Sequence, residues 1–598
     1  MPLLKLDEID PRTSVLDAVQ IEVLAALIPH MTEARFGAGE TIFSAGSPPD
    51  AFYIVDEGEV RVEVPLEELD TESVLEYVGP GSFLGDMGVL AGSNREVSAV
   101  AHTEVSAHKV SRDGLRRLFD EDPAEGIKVL RALARNTALK LEGAVHMLAE
   151  HAAEDSRDPE VDRMVAAAQA AQAEFQTWSE DRVDALLKDI AETVASRAEE
   201  LGAAELEETH IGNAADKTLK LQFAAMAVYA ALEGEVGFGL LDSDDVRRVS
   251  EMASPVGVVI GLVPLTNPGP TFVNKTLICL KARNALILSC HRSAQQTGNT
   301  FGELIQQVLA RHGAPADLVQ WIRNRTSRKK TARFMRHEGV GMILATGGPA
   351  MVKAAYSSGK PAIGVGAGNA PAWVAPDADI EATAAAVIAS KGFDNGLICG
   401  SEQHLVVDRS VEPALVDALR RQGTVVLDDE QTKQFMGTAF EENGDLRMWF
   451  VGQAPSVIGG AIGMEIPPEA RLIVFRADAG SPEGAFARER LAPVLSLFTV
   501  DGDDEAIALC RRLLDYEGAG HTANVHTQDE ERVRRFAEAM PVSRVLVNTP
   551  SAMGCCGVVT GLAPSLTLGC GTFGGNSTTD NVGYRNLLNI KRVARSLA

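Results

Sequence analysis

The chain has 598 residues, of which 45% are hydrophobic and 23% are charged, which is typical of a folded globular protein and excludes a disordered or collagen-like chain. At about 100–200 residues per domain, this length predicts several domains. The net charge of −27 opposes binding to phosphate backbones, so we expect no nucleic-acid partner.

The sequence also bears on the cellular compartment. The longest apolar stretch lies near Gly257–Leu265 and is shorter than the roughly 18 residues that a membrane span needs. Met1 is followed by Pro2, Lys5 and several acidic residues, without the pattern of a secretory signal. The seven cysteines form no CxxC pair and no Cys–His cluster at zinc spacing. We therefore expect a cytoplasmic protein with no membrane partner and no metal site.

The amino-terminal quarter of the chain has the pattern of a β-rich domain. Residues 1–155 contain 13 Lys and Arg against 29 Asp and Glu, so this part is more acidic than the rest. Apolar spacing predicts helices over Val15–Met31, Ser111–Phe119 and Ala124–Ala153. Short β runs separated by turn signals predict a small barrel or jelly roll between them. The predicted strands are Thr41–Ser44, Ala51–Asp56, Glu59–Pro65, Ser73–Val78, Glu96–Ala101 and Glu104–Val110.

The segment Gly85–Val100, GDMGVLAGSNREVSAV, contains the residue types of a sugar-phosphate site. Backbone N–H groups of the turn at Gly85 and the Arg95 guanidinium would meet a phosphate, and Asp86 would accept hydrogen bonds from ribose hydroxyls. A surface turn with a solvated Arg would give the same pattern.

The segment resembles the cyclic nucleotide-binding domain family, from Phe36–Val62 through the cassette FLGDMGVLAGSNREVSA. The resemblance covers about residues 15–150 and implies a cyclic nucleotide or another small effector. Asp86 replaces the family's usual Glu, and Glu96 replaces a small hydroxyl residue. Because a carboxylate at Glu96 would repel a cyclic phosphate, a different ligand and no ligand at all are the alternatives.

From about residue 160 the pattern changes to alternating helices and strands. Val161–Leu201 and Ala214–Leu232 have helical periodicity, and Val256–Val263 is a nearly continuous apolar strand. A second alternating block runs from Ala372 to about Val547. Such alternation predicts mostly parallel sheets covered by helices. The alternating elements of the first block are Ala285–Ser289, Thr300–Arg311, Leu318–Trp321, Gly341–Ala345, Ala350–Ser357 and Pro361–Val365.

Cys399 is the first candidate for a catalytic residue. It lies in GFDNGLICGSEQ, an irregular stretch that follows the predicted helix Ile380–Lys391. A loop thiol with nearby backbone amides can be a nucleophile, although a single cysteine is more often structural. Asn267 follows an apolar strand, where a fixed amide suits a developing oxyanion, although Asn-Pro is also a turn signal.

Phe393–Gln403 closely resembles the nucleophile loop of the CoA-acylating aldehyde dehydrogenases. The resemblance spans roughly residues 160–598 and implies an oxidoreductase that interconverts a short-chain aldehyde and its acyl-CoA with NAD or NADP, through a thioester on Cys399. Coenzyme A would be the co-substrate. Four further blocks carry the resemblance: Pro255–Pro268, Ile343–Pro371, Gly518–Thr527 and Val547–Gly583.

The resemblance implies roles for particular residues. Asn267 and the backbone N–H of Cys399 would form the oxyanion hole, and His521 would lie near the substrate or thioester. After the strand Ala285–Ser289, hydrolytic relatives usually offer a Lys and a Glu to the adenosine ribose. The missing Glu and the presence of Arg292 would tolerate a 2′-phosphate, so both NAD and NADP are possible. Glu489 would hold the nicotinamide ribose. The implied cofactor-binding residues are Thr266, His291, Arg292, Gly347, Gly348, Gly366 and Glu489.

The acceptor of the acyl group is indicated by Val365. Hydrolytic aldehyde dehydrogenases carry a water-activating Glu at the position that aligns with Val365. Loss of that base suits a CoA thiol, which is a better nucleophile than water near neutral pH. The alternatives are a non-acylating, hydrolytic aldehyde dehydrogenase and a catalytically silent nucleotide sensor.

The expected architecture is an α/β aldehyde dehydrogenase fold, with a Rossmann-like cofactor domain and an α/β catalytic domain, preceded by an all-β jelly roll. We expect the jelly-roll domain at 1–155, the NAD(P)-binding domain at 156–370, the catalytic thiol domain at 371–550 and a return to the cofactor domain at 551–598. Thr572–Asn586 resembles a segment that reaches a neighbouring subunit, which implies a homo-oligomer. Cys555 and Cys556 replace small residues usual in the family and receive no role.

Overall fold

The computed structural model of the protein describes residues 26–66, 71–134, 137, 158–324, 327–441, 444–480 and 487–597. The chain divides into two compact units, Met1–Glu154 and Asp155–Ala598. Most of the predicted helices Val15–Met31 and Ala124–Ala153 lies outside the described residues. The predicted end of the helix Val15–Met31 is wrong, because Met31 is the first residue of a strand.

The first unit is a β-rich domain, as the short apolar runs predict. The eight strands among its described residues form two four-stranded antiparallel sheets. One apolar cluster contains Ile42 and Val62 of one sheet and Val55 and Ala107 of the other, so the two sheets pack around a common core. The elements are β1 (Met31–Phe36), β2 (Thr41–Phe43), β3 (Ala51–Glu57), β4 (Val60–Leu66), β5 (Thr71–Val78), β6 (Phe83–Leu84), α1 (Asp86–Ala91), β7 (Ser98–Ala101), β8 (Val105–Ser111) and α2 (Arg112–Glu121).

In the second unit the described part of the chain forms three sheets and the remaining helices. Its strands are β9 (Gly239–Asp244), β10 (Val249–Pro255), β11 (Val258–Val263), β12 (Ala285–Cys290), β13 (Val319–Trp321), β14 (Val340–Thr346), β15 (Ala362–Val365), β16 (Ala370–Val374), β17 (Glu402–Asp408), β18 (Thr424–Val426), β19 (Leu472–Ala477), β20 (Val494–Val500), β21 (Gly520–His526), β22 (Val542–Val547) and β23 (Leu588–Ala594).

The helices of the second unit cover these sheets. They are α3 (Pro159–Phe175), α4 (Glu180–Ser196), α5 (Ala198–Thr209), α6 (Ala214–Gln222), α7 (Val228–Leu232), α8 (Pro268–Lys281), α9 (Gln295–Arg311), α10 (Arg328–Arg336), α11 (Pro349–Tyr356), α12 (Ile380–Lys391), α13 (Glu412–Arg421), α14 (Asp429–Ala439), α15 (Pro455–Ala461), α16 (Asp503–Tyr516), α17 (Glu530–Ala539) and α18 (Ser551–Cys555).

A five-stranded parallel sheet has the order β13-β12-β11-β14-β15. All six residues of β11 are buried, which explains why this strand reads as an unbroken apolar run. In this order the connections leave β11 and β14 in opposite directions. The crevice at the carboxyl ends of β11 and β14 is the usual ligand position in such a sheet.

A seven-stranded parallel sheet has the order β18-β19-β20-β17-β16-β21-β22. Separate apolar clusters include Leu405 and Leu497 on one side and Val406 and Phe498 on the other, because alternate residues of a strand point to opposite faces. β15 ends at Val365 and β16 begins at Ala370, so residues 366–369 connect the two parallel sheets.

The third sheet was not predicted. It is antiparallel, with the order β23-β10-β9, and β23 pairs with β10 from the carboxyl-terminal end of the chain. Six of the seven residues of β23 are exposed. Apolar and polar residues alternate only from Leu588 to Lys591, and no face of the strand is buried, so the sequence signal is weaker than in the other strands.

The helical segment Val161–Leu201 is divided in the structure. α3 ends at Phe175, and the Ser179 hydroxyl accepts a hydrogen bond from the Arg182 amide to cap α4. Apolar periodicity continues through such a break, so it does not reveal the boundary. Within the part of the chain that the structure describes, no helix combines the length and apolarity needed to cross a bilayer.

Candidate active site

The candidate site lies where two sheet edges meet. β17, β16 and β21 are adjacent parallel strands, so their amino-terminal ends lie at one edge of the seven-stranded sheet. Cys399 precedes β17, Gly368 precedes β16 and His521 is the second residue of β21. The connector 366–369 brings this edge to the carboxyl ends of the five-stranded sheet. Residues far apart in sequence therefore converge.

Cys399 and His521 are in contact. The His521 Nε2 atom lies 3.3 Å from the Cys399 Sγ atom, and the His521 Nδ1 atom lies 2.9 Å from the Thr522 hydroxyl. Cys399 is half-buried and His521 is fully buried. A thiol beside an oriented imidazole is the arrangement of a nucleophile and a proton acceptor.

Gly368 fixes the backbone of the nucleophile. A Cβ atom at Gly368 would lie 1.9 Å from the Cys399 carbonyl oxygen and 3.3 Å from the His521 ring. The Gly368 amide also donates a hydrogen bond of 3.1 Å to the Glu489 carboxyl group. Glu489 is thereby held close to the nucleophile, on the side of the connector.

Asn267 and Thr266 follow β11 at the carboxyl end of the five-stranded sheet. The Asn267 Nδ2 atom donates to the Thr266 hydroxyl at 3.2 Å and to the Leu397 carbonyl at 3.4 Å. Leu397 is two residues before Cys399, so the Asn267 amide faces the nucleophile loop. An amide N–H in this place can stabilise an oxyanion formed when Cys399 attacks a carbonyl carbon.

The loop before Cys399 has a left-handed backbone. Asp394 has φ of +46° and Asn395 has φ of +54°, a region that Asp and Asn tolerate better than most residues. The Asn395 side chain donates to the Gly212 and Gly452 carbonyls at 3.1 and 2.9 Å. These contacts hold the loop that ends α12 and leads to the nucleophile.

Burial governs the charge state of the catalytic pair. Desolvation raises the pKa of the Cys399 thiol, and the nearby Glu489 adds to the rise. Desolvation lowers the pKa of His521 to about 3, with a further contribution from the Arg544 guanidinium. The Arg544 Nε atom lies 3.5 Å from the Thr522 hydroxyl. The resting pair is therefore a neutral thiol and a neutral imidazole.

The pKa of the Glu489 carboxyl group is also shifted from its usual value. Desolvation raises its pKa to about 8, and the Glu517 carboxylate adds to the rise. The Glu489 amide donates to the Glu517 carboxylate at 2.7 Å. At pH 7 the Glu489 carboxyl group is mostly protonated, so it places little negative charge beside Cys399.

The proposed cofactor residues surround the crevice of the five-stranded sheet. Gly347 and Gly348 lie between β14 and the first turn of α11, and a Cβ atom at Gly348 would meet no atom within 4 Å. Gly366 likewise has open space beside it. His291 and Arg292 are exposed just after β12. Open space at a strand-to-helix turn fits a dinucleotide pyrophosphate, so this unit can accommodate NAD or NADP.

The three candidates in the first unit are close together. Arg95 is buried, and its guanidinium donates to the Gly85 carbonyl at 2.6 Å and to the Ala51 carbonyl. It also lies 3.6 Å from the Asp50 carboxylate. Asp86 is buried at the start of α1. The two terminal nitrogens of the Arg95 guanidinium thus already donate to backbone carbonyls, and its buried Nε atom has no acceptor among the described residues.

Sequence reasoning missed several residues of the site in the second unit. Lys220, Asp394 and Arg544 are buried and polar beside Asn267 and His521. The consecutive Asp394, Asn395 and Gly396 are a turn signal that could have identified the left-handed loop. Nothing in the sequence around Lys220 or Arg544 marks them, because their burial results from tertiary packing.

Comparisons with known proteins fit this geometry. The family model "Aldehyde dehydrogenase family" matches residues 146–449, and "Cyclic nucleotide-binding domain" matches residues 33–122. The bifunctional aldehyde-alcohol dehydrogenase AdhE of Escherichia coli K12 is 38% identical over 441 residues, which cover 73% of this chain and 49% of that protein. The chain thus spans about half the length of this relative.

Solved structures agree with the sequence comparisons. An acetylating aldehyde dehydrogenase from Geobacillus thermoglucosidasius is 40% identical, with a TM-score of 0.72 over 73% of this chain and 97% of that one. A propionaldehyde dehydrogenase from Rhodopseudomonas palustris, solved with bound propionyl-CoA, is 27% identical, with a TM-score of 0.67 over 74% of this chain and 95% of that one.

The side chains of Cys399, His521 and Asn267 meet between the two parallel sheets of the second unit. The sequence and the fold of this unit match the same family over most of its length. The jelly roll ahead of it matches a separate family. The chain belongs to the aldehyde dehydrogenase family and carries a cyclic nucleotide-binding domain before its dehydrogenase unit.

Proposed function

We propose that the protein interconverts a short-chain aldehyde and its acyl-CoA with NAD(P), through a thioester on Cys399. The observation that carries this proposal is the contact of 3.3 Å between the Cys399 and His521 side chains, with the Asn267 amide facing the same loop. The similarity to acetylating aldehyde dehydrogenase and to a structure with bound propionyl-CoA supports the reaction type.

The chemistry follows from the charges of the site. The neutral His521 accepts the Cys399 proton as the sulfur attacks the aldehyde carbon, and the carbonyl oxygen becomes an oxyanion. The Asn267 Nδ2 group exchanges one of its hydrogen bonds, to Thr266 or to the Leu397 carbonyl, for a hydrogen bond to that oxygen, and the Cys399 amide donates the second. When bound, NAD(P) supplies the acceptor for the hydride that leaves the carbon. Collapse of the oxyanion then leaves a thioester on Cys399.

The acyl group next passes to a thiol. The CoA thiol loses its proton as its sulfur attacks the thioester carbon, the bond to the Cys399 sulfur breaks, the Cys399 sulfur takes up a proton, and acyl-CoA leaves. Val365 is a buried aliphatic residue at the end of β15, where hydrolytic relatives carry the Glu that activates water. An apolar residue here offers no base for water, which supports CoA as the acceptor.

The test is NAD(P)H absorbance with acetaldehyde or propionaldehyde, with and without CoA. Strict dependence on CoA supports the proposal. Equal rates without CoA would mean that water deacylates the enzyme and would contradict the role assigned to Val365. Parallel assays with NAD and NADP test whether the exposed His291 and Arg292 accept a 2′-phosphate.

We also propose that the first unit senses a cyclic nucleotide or another small effector at Gly85, Asp86 and Arg95. The match to the cyclic nucleotide-binding family supports this idea. Because Arg95 already donates to the Gly85 and Ala51 carbonyls, a cyclic phosphate must replace those contacts. Isothermal titration of the full chain with cyclic AMP and cyclic GMP tests it, and no heat with either would remove this version.

Finally, we propose a cytoplasmic homo-oligomer. All seven cysteines are free, which supports a reducing compartment. The Thr572–Asn586 segment leads into the exposed edge strand β23, which supports contact with another copy of the chain. Sedimentation of the purified protein measures the oligomeric state, and a monomer at micromolar concentration would contradict it.

A further inference from the structure

Four charged side chains are buried together behind the candidate oxyanion donor. Lys220 is 3% exposed, and Glu205, Lys217 and Asp394 are fully buried. Lys217 contacts Glu205 at 2.8 Å and Asp394 at 3.7 Å, and Lys220 contacts Asp394 directly. The cluster has two lysines and two acidic side chains, and the Asp394 carboxylate opposes the lowering of the pKa of Lys220 that burial causes. Burying four charged side chains has a high desolvation cost, so their burial is weak evidence that they stabilise the fold. We therefore consider a role of this cluster in the reaction.

The cluster contacts both parts of the site. Lys220 donates a hydrogen bond of 2.5 Å to the Asn267 Oδ1 atom. Asp394 belongs to the nucleophile loop, five residues before Cys399, and accepts from the Asn213 amide at 2.8 Å. Glu205 accepts from the amide of Gly269, two residues after Asn267, at 3.0 Å. One rigid charge network therefore joins the Asn267 segment to the loop of Cys399.

The chemistry of Lys220 decides which way the Asn267 amide points. An ammonium group has only donors, so the amide must present its oxygen to Lys220. The Nδ2 group then faces the opposite way, toward Thr266 and the Leu397 carbonyl of the nucleophile loop. With the amide flipped, two donors would face each other at Lys220, and an acceptor would face the developing oxyanion.

We propose that Lys220 is a positioning residue, which holds the Asn267 amide with its N–H donors toward the carbonyl carbon attacked by Cys399. This inference rests on the proposed function, because it assigns a partner to the oxyanion donor of the same reaction. Lys220 acts through Asn267 and does not touch the substrate.

Lys217 is a matched control for Lys220. Both lie on α6, three residues apart, and both are buried against Asp394. Among the described residues, Lys217 has its ion pairs with Glu205 and Asp394, and no hydrogen bond joins it to Asn267. Removing either ammonium group unbalances the same cluster. Only the removal of Lys220 releases the Asn267 oxygen.

The experiment compares two reactions of Cys399 in the full-length protein that need neither NAD(P) nor CoA. p-Nitrophenyl acetate acylates the thiol through an oxyanion: the sulfur–carbon bond forms, the ester bond breaks and p-nitrophenolate leaves. Iodoacetamide alkylates the same thiol with loss of iodide and without an oxyanion. The ratio of the acylation rate to the alkylation rate therefore measures oxyanion stabilisation alone.

Lys220→Met should lower the acylation rate by about 10- to 100-fold, less than the roughly 10²- to 10³-fold loss when an oxyanion donor itself is removed, because the Asn267 amide is still present. Its alkylation rate should stay within about threefold, and Lys217→Met should keep the ratio within about threefold. In the background of Asn267→Ala, adding Lys220→Met should change acylation by less than about threefold, since both act on one donor.

Besides an unchanged ratio in Lys220→Met, two results would overturn the proposal. One is a parallel loss of acylation and alkylation in Lys220→Met, which would show a displaced nucleophile loop. The other is a full additional loss in the Asn267→Ala background, which would show that Lys220 acts independently. If Lys220→Met fails to fold, Lys220→Met with Asp394→Asn removes both charges of the pair and is measured in its place.

The same assays separate this proposal from the proposed function. Absence of CoA-dependent turnover in the unmodified protein would contradict the acyl-CoA reaction and leave the acylation ratio interpretable. Conversely, CoA-dependent turnover with an unchanged ratio in Lys220→Met would contradict only the role of Lys220.

Discussion

Cys399 gains its proposed role from its neighbours. The resting thiol is neutral because burial raises its pKa, and the adjacent His521 imidazole is the group within reach of its proton. Cys510 is a buried thiol in a different setting: it lies in an apolar cluster of the seven-stranded sheet. The groups around each thiol, and not the residue type, therefore distinguish Cys399 from Cys510 as a candidate nucleophile.

Replacing Cys399 with Ala is expected to lower turnover by at least about 10³-fold, since the nucleophile is lost while the oxyanion donors remain. The measurement is NAD(P)H absorbance with aldehyde and CoA. Cys510→Ala, which removes a buried thiol from another cluster, should keep most of the activity. Near-normal turnover in Cys399→Ala would contradict the assignment of the nucleophile.

The expected role of Glu489 in holding the nicotinamide ribose predicts a pH dependence of cofactor binding. Its carboxyl group has a pKa of about 8 because of burial and Glu517, and only the ionised form accepts hydrogen bonds from both ribose hydroxyls. As pH rises from 7 to 9 the ionised fraction increases about tenfold, so the KM for NAD(P) should fall. Steady-state kinetics across this range measure the effect.

The control for this prediction is Glu489→Gln, an uncharged side chain of the same shape. Its KM for NAD(P) should be higher at pH 9 than that of the unmodified protein and nearly constant between pH 7 and pH 9. A KM that rises with pH in the unmodified protein would show that the carboxyl group is not the acceptor for the ribose.

At the scale of elements, the connector between β15 and β16 determines where the nucleophile lies. Residues 366–369 join the two parallel sheets, and Gly368 packs directly on the Cys399 carbonyl. The sheets themselves follow from apolar runs. Their relative placement depends on a backbone contact that leaves no room for a side chain.

Gly368→Ala is expected to displace the nucleophile loop, because its Cβ atom would lie 1.9 Å from the Cys399 carbonyl oxygen. We expect a loss of about 1–3 kcal/mol in the free energy of unfolding, as in other overpacked sites, together with reduced turnover. Thermal unfolding and the coupled assay measure both.

Gly437→Ala is the matched substitution for Gly368→Ala. Gly437 lies in α14, and a Cβ atom there would meet no atom within 4 Å. Alanine favours the helix interior over glycine, so stability should be unchanged or slightly higher. Equal losses in the two variants would show that the contact with Cys399 is not the cause.

At the scale of the whole molecule, the chain consists of two compact units with separate apolar cores. The first unit has antiparallel sheets, and the second has two parallel sheets and the candidate site. Since each unit buries its own core, each can fold by itself.

Deleting residues 1–154 should therefore leave a folded dehydrogenase unit. We expect its kcat with aldehyde, NAD(P) and CoA to stay within about threefold of that of the full chain, because Cys399, His521 and Asn267 all lie in the second unit. Calorimetry and the coupled assay measure this. An unfolded or inactive product would show that the dehydrogenase needs the first unit.

Several features could be predicted from the sequence because they depend on neighbouring residues. Helix α12 matches its predicted bounds, Ile380–Lys391, and β11 lies within its predicted run, since local apolar patterns specify such elements. The family resemblance also identified both folds. Edge strands such as β23 were missed because they bury no face.

By itself, the sequence determined the alternation of helices and strands in the second unit, the two fold classes and the chemical types available to the site, because periodicity, turn residues and motifs are local along the chain. Only the tertiary structure decided that His521 lies against Cys399 and that Lys220 and Asp394 are buried behind Asn267. These contacts join residues separated by 47 to 174 positions, and they arise from strand order and loop packing. A local sequence pattern does not show which strand ends become neighbours. The proposed chemistry depends on the strand ends that bring these residues together.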